Sequence, residues 1–172
     1  MTKYLLTLAL AVFLIGAPSI QAQKIAVIDI NAVLTDLDEY KEAQVRLDKI
    51  AAEWNQEIAA EYDKIKSLYN KYQAEQVMLS EEVRAQREEE IMQKEKQVRE
   101  LQKRKFGQEG ELFLKRREII NPIQERVFAA IETFAVDRGY DIILDKSGEA
   151  GVLFAGGDYD KTDLIKRRLG IR

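Results

Sequence analysis

Cysteine and histidine are both missing from the 172 residues of this chain. Without cysteine there is no disulfide framework, no thiolate nucleophile, no cysteine-bound metal and no sulfur-linked lipid anchor. Without histidine the usual general base near neutral pH and the commonest metal ligand are gone as well. Chemistry would rest on carboxylates, Lys, Tyr and hydroxyls alone, which points away from an enzyme and from any metal or other cofactor. An excess of one charge is lacking too: 27 Lys and Arg stand against 30 Asp and Glu, interleaved, for a formal net charge of −3. A dedicated nucleic-acid binder would show a basic face, so no nucleic-acid partner is expected.

The only apolar run of any length lies at the start. Lys3, the apolar Leu5–Ile15 and the closing Ser19-Ile20-Gln21-Ala22 read as a secretory signal peptide over residues 1–22, cleaved after Ala22. The run is shorter than the ~20 residues that span a bilayer. Removing it takes Lys3 away, so the exported chain is one unit more acidic. Export follows from this reading.

What is abundant is charged helix. Lys24–Asn31 is apolar on both alternating faces, as a strand covered on both sides requires. Thr35 or Asp36 then serves as N-cap, with Glu39 at capping-box spacing from Asp36. From there to about Met78 the chain contains neither Pro nor Gly. Its apolar positions step by threes and fours through Leu47, Ile50, Trp54, Ile58, Tyr62, Ile65, Tyr69 and Tyr72, a coiled-coil seam with a stutter at Trp54–Ile58–Tyr62. Such a helix is about 65 Å long. Leu79-Ser80 is the turn, with Ser80 capping a returning helix whose apolar residues are sparse until Leu112 and Phe113. The packing therefore weakens with distance from the body.

Gly107 and Gly110 predict a soft spot partway along the return limb, and Pro122 a kink where it rejoins the body; these three are the arm-hinge candidates. Gly139 fits a left-handed C-terminal cap. Tyr140–Asp145 and Val152–Ala155 then read as two strands of a hairpin around Gly148–Gly151, followed by a short helix capped by Asp160 or Thr162.

The fold class is α+β: a small β-body carrying a long antiparallel coiled-coil arm. Body segments are residues 23–35 and 121–172, and the arm spans 36–120. Without arm and leader the body is only about 65 residues, a size that rarely supplies a sufficient core, and its open strand edges attract other chains. Self-association answers both problems, the alternative being a monomer whose helices cover the edges. Ile25, Val27, Ile28, Ile142, Leu144, Val152 and Phe154 are the interface candidates.

Lys24-Ile25-Ala26-Val27-Ile28-Asp29-Ile30-Asn31-Ala32-Val33-Leu34 resembles the opening strand of the Skp/OmpH family of periplasmic chaperones. Ile119-Ile120-Asn121-Pro122-Ile123 is similar to its re-entry helix, and Gly139–Asp145 with Asp160–Gly170 to its closing segment. The resemblance implies a homotrimer shaped like a jellyfish, or like prefoldin, with a β-barrel body and helical arms around a cavity. It further implies an ATP-independent holdase for unfolded outer-membrane proteins. The better-known members are basic; this chain is acidic, which speaks against membrane-surface contact.

Holding an unfolded chain needs many weak contacts, and flat amphipathic side chains suit that role. Trp54, Tyr62, Tyr69, Tyr72 and Met78 are the client-contact candidates, the competing reading being that each packs in the arm's own seam. The runs Glu88–Glu90 and Lys103–Lys105 read as solvated helix faces. Gly156-Gly157 lacks the rest of a phosphate loop, and Asp158 with Asp160 falls short of a calcium loop. A structural coiled-coil spacer docking one folded envelope partner is the alternative function.

Overall fold

A computed structural model describes residues 23–148 and 151–171. The expected signal peptide lies outside the described residues, as does part of the expected hairpin turn.

Strand β1 (Ile25–Ile28) pairs in parallel with β2 (Ile142–Asp145), Ile25 opposite Ile142 and Ile28 opposite Asp145. Its other edge is also taken. The Val27 amide donates to the Tyr159 carbonyl at 2.9 Å, and the Val27 carbonyl accepts from the Lys161 amide at 2.9 Å. A strand paired on both edges and covered on its faces has to be apolar throughout, which is why Ala26, Val27 and Ile28 are all buried.

The strand ends earlier than Asn31. Helix α1 (Ile30–Asp36) follows at once, capped by Asp29, whose Oδ1 accepts from the Ala32 amide at 2.8 Å. The caps expected of Thr35 and Asp36 are therefore not made. Thr35 donates back to the Asn31 carbonyl at 2.8 Å, and Asp36 pairs with Lys166 at 2.7 Å. Leu37 is extended (φ −71°, ψ 123°) and buried, so the chain breaks there to insert a side chain into the core before α2 (Asp38–Glu75) begins.

Helix α2 is the continuous limb of the arm. Ser80 caps the returning α3 (Glu81–Phe106), accepting from the Val83 amide at 3.4 Å. The return is not one softened helix, as the glycines suggested, but two rods: α3 stops at Phe106 and α4 (Glu111–Arg138) starts beyond Gly110. Backbone proximity demands glycine at both ends of this break. A Cβ on Gly107 would press on the Lys103 carbonyl, and one on Gly110 would lie 2.8 Å from the Arg104 carbonyl oxygen. Helix α4 runs unbroken through Pro122 and ends at Gly139, left-handed at φ 64°, where the Tyr140 amide donates to the Ala135 carbonyl at 2.9 Å.

The second strand of the expected hairpin does not form: Val152–Ala155 has no strand partner. The reason is topological. The chain must pass from β2 to the opposite edge of β1, where Asp160 bridges Val27 in parallel, so this segment is a crossover and not a hairpin arm. Short helix α5 (Thr162–Arg168) closes the body.

Two apolar clusters result. The proximal one joins Ile28, Val33, Leu37, Leu47, Ile123, Val127, Phe134 and Ile165 across strand and helices. The distal one consists of Ile58, Ile65 and Val98 with a few half-buried neighbours. Packing thins outward as the sparse return limb implied. Phe134→Ala, which removes a buried ring stacked 5.5 Å from Tyr140, is expected to cost about 3–5 kcal/mol in urea unfolding. Val98→Ala is expected to speed amide exchange in α3 while leaving that of the body unchanged.

Candidate functional site

The arm's seam follows a strict heptad from its middle outward: Trp54, Ile58, Glu61, Ile65, Leu68, Tyr72 and Glu75 are the buried or half-buried positions. This corrects the stuttered stripe, which ran through Tyr62 and Tyr69. Those two lie one position past Glu61 and Leu68, about 100° further round the helix, and are 43% and 48% exposed. Leu68 is the seam residue that the sequence reading passed over, although steps of seven from Trp54 lead to it.

The five aromatic and methionine candidates thus separate. Trp54 is held inside the arm, edge-on to Phe106 with centroids 6.2 Å apart, and Lys105 Nζ sits 4.4 Å from its ring centroid. Tyr72 is committed across the arm, its hydroxyl donating to Glu88. That bond, with burial and the Glu88 charge, raises the Tyr72 pKa. Tyr62 and Tyr69 remain as an exposed flank, and Met78 projects from the tip, 81% exposed. An open groove of about 500 Å³ runs over Ile65 and Leu68, edged by Lys64, Lys71 and Lys94, and neither Tyr62 nor Tyr69 lines it.

At the break in the return limb, Lys105 and Glu111 pair at 2.5 Å and Arg104 reaches Glu111 at 3.5 Å. One carboxylate therefore ties α4 to the end of α3, and Lys105 carries that tie onto Trp54 of α2. Gly107 and Gly110 lie within this clamp. Pro122 lies well away from it, inside α4.

In the body, the interface candidates divide according to cover. Val27 and Ile28 are 4% and 0% exposed within the single chain, Ile28 as part of the proximal core, so they offer nothing to a neighbour. Ile25, Ile142 and Leu144 are about one-third to two-fifths exposed, Val152 is half-buried, and Phe154 is 86% exposed. Leu153, absent from the expected set, is fully exposed. In a parallel pair alternate residues of β2 bond to β1, so the N–H and C=O groups of the others point off the outer edge, where the described residues supply no partner strand.

A polar junction fixes the ends of these strands. Asp145 Oδ1 accepts from the Ile30 amide at 3.2 Å and from the Ser147 amide and hydroxyl at 2.9 and 2.6 Å. Asp160 takes the Thr162 amide and hydroxyl at 2.9 and 2.6 Å on one oxygen and Lys146 at 2.7 Å on the other. These bonds occupy Asp160, and among the described residues no group of three or more acidic side chains could hold a metal. Burial pushes the Asp160 pKa upward, but the Lys146 and Thr162 bonds outweigh it and bring it from 3.8 to about 2. Asp145 is likewise lowered: burial opposes the shift and the Ser147 and Ile30 donors prevail.

Both carboxyls have folded pKa values below their unfolded ones. Their contribution is thus complete above the unfolded value and is lost as pH falls through the folded one. Stability is expected to drop between about pH 4 and about pH 2, and Asp160→Asn to lower it at neutral pH and flatten that acid limb in urea titrations.

The family model described as outer membrane protein (OmpH-like) matches residues 24–169. Among solved structures, that of a candidate outer membrane chaperone (OmpH-like) from Caulobacter crescentus CB15 has a TM-score of 0.70 at 15% identity. The match covers 90% of this chain and 88% of that one, a likeness of fold along nearly the whole length. No curated protein matches.

Proposed function

The chain belongs to the outer membrane protein (OmpH-like) family, and from that premise we propose that it is an ATP-independent holding chaperone for unfolded outer-membrane proteins. In this reading the protein is exported, loses residues 1–22, works in the periplasm and carries out no catalysis. Three copies close their sheets into one barrel-like body formed from residues 23–35 and 121–172. Their arms, residues 36–120, enclose the space in which a client is kept from aggregating. The number three comes from the family resemblance, and the description of the Caulobacter protein as a chaperone supports the role.

One observation carries the proposal. A thinly packed arm with a half-exposed tyrosine flank is joined to a body whose β2 edge, Leu153 and Phe154 lie open. The open edge calls for other copies of the body. Burying a side chain such as Leu or Phe contributes about 1.5–3 kcal/mol, so covering both in each copy is a substantial drive to assemble. The flank suits an unfolded client because tyrosines offer area without a deep pocket, and release stays easy when no single contact dominates.

Light scattering of a urea-diluted outer-membrane barrel protein tests the role. Near-stoichiometric suppression of aggregation is expected. Absent suppression, together with capture of one folded envelope protein, would establish the spacer reading instead. Replacing Tyr62 and Tyr69 with Ser is expected to weaken holding several-fold at unchanged native mass; loss of the oligomer would mark them as assembly residues. Leu153→Ser with Phe154→Ser is expected to shift the sedimenting species to a lower mass at micromolar concentration.

A further inference from the structure

The far end of the arm exposes apolar residues that neither the seam nor the turn requires. The seam ends at Tyr72 and Glu75, and α3 does not start until Glu81. Between them Val77 and Met78 are 89% and 81% exposed. A turn does not ask for such residues: Gly, Asn, Asp and Ser are the usual choices, and no residue here has a positive φ. Val83, in the first turn of α3, adds a third apolar side chain at 37% exposure. Beside them stand the exposed carboxylates of Glu81 and Glu82, with the exposed Arg84 in the same turn, while Glu75 lies in the seam, lining one cavity with Lys71 and Arg87.

We propose that this tip is a docking surface for a cationic amphipathic protein segment, in which apolar side chains cover Val77 and Met78 while Lys or Arg meets the acidic rim. Charge decides between occupants. An anionic lipid surface would be repelled by the rim, whereas a basic segment is drawn to it and held once its apolar residues lose water. Methionine strengthens the assignment, since its flexible, polarisable thioether adapts to apolar partners of varied shape. The tip's position, separated from the body by the length of α2 (38 residues, about 57 Å), allows a partner to be engaged while the body is assembled and the flank is occupied. The inference needs only an exposed tip and does not rest on the holding role.

The test uses the full native protein and a fluorescein-labelled peptide of alternating Leu and Lys, followed by anisotropy at physiological ionic strength. Saturable binding is expected. Val77→Ser with Met78→Ser should weaken it about tenfold while circular dichroism keeps its helical content. Glu81→Gln with Glu82→Gln should weaken it roughly threefold and flatten its salt dependence. The same peptide with Glu in place of Lys should not bind. The proposal is overturned by absence of binding, by equal binding to the Val77/Met78 variant, or by equal binding of the Glu peptide. It is also overturned if the native protein, but not that variant, sediments with phosphatidylglycerol vesicles, because the occupant is then a membrane.

Discussion

Parallel strands cannot be joined by a tight turn, because the second must start again at the end where the first began. Here β1 and β2 run parallel, and the connection between them is the arm itself. The same rule applies once more, since the bridge from Val27 to Asp160 is also parallel and the chain must cross from β2 to the far edge of β1. The first crossover becomes a rod pair projecting from the body. The second is too short and too far from the core to bury itself, and it leaves Leu153 and Phe154 in water. Arm and uncovered body surface are thus two outcomes of one sheet topology.

Along the arm, stability follows the supply of apolar side chains on the return limb. Near the body α4 delivers Ile120, Ile123, Val127 and Phe134 to the core, whereas α3 delivers only Val98 to full burial. Polar contacts do not make up the difference. Exposed pairs such as Arg87–Glu90 and Arg99–Glu95 contribute about 0–1 kcal/mol each. Where the two regimes meet, the return limb breaks at Gly107–Gly110 while α2 continues past it. Trp54, Phe106, Lys105 and Glu111 hold this joint through one edge-on ring contact, one cation–π contact and an ion pair. Local opening belongs at places of this kind, where few buried contacts have to be broken.

Much of this was legible in the residues. Local pattern gave away the strands that bracket the arm, the cap at Ser80, the left-handed Gly139 and the outward thinning of the core, because each depends on local chemistry or on a periodicity several turns long. The errors share one cause, which is that tertiary context decided between locally equivalent options. Asp29 and Asp36 are both good N-caps, and only the need to bury Leu37 selects the earlier start. Tyr62 and Glu61 compete for one seam position; the apolar residue appears the better choice until the heptad through Leu68 shows that the charged one lies in register. The hairpin failed for a non-local reason, since nothing within Tyr140–Ala155 reveals that Tyr159–Lys161 will claim the free edge of β1. Val27 and Ile28 were assigned outward for the same reason.

An arm built this way suits weak, plural contacts better than tight ones. A buried, well-packed seam would leave no surface for a partner, while a wholly apolar flank would aggregate. Moving the tyrosines one position off the seam is a compromise: Ile58, Ile65 and Val98 hold the helices together, and Tyr62 and Tyr69 keep roughly half their surface in water. A single arm offers too little area to retain an unfolded chain for long. In the proposed assembly several arms face one space, so a segment released by one remains at high effective concentration for the others. Retention then depends on how many arms can be reached at once, and shortening the unfolded stretch as a client folds is enough to let it go. In that proposed assembly release would need no nucleotide and no switch in the holder, because the free energy would come from the folding of what is held.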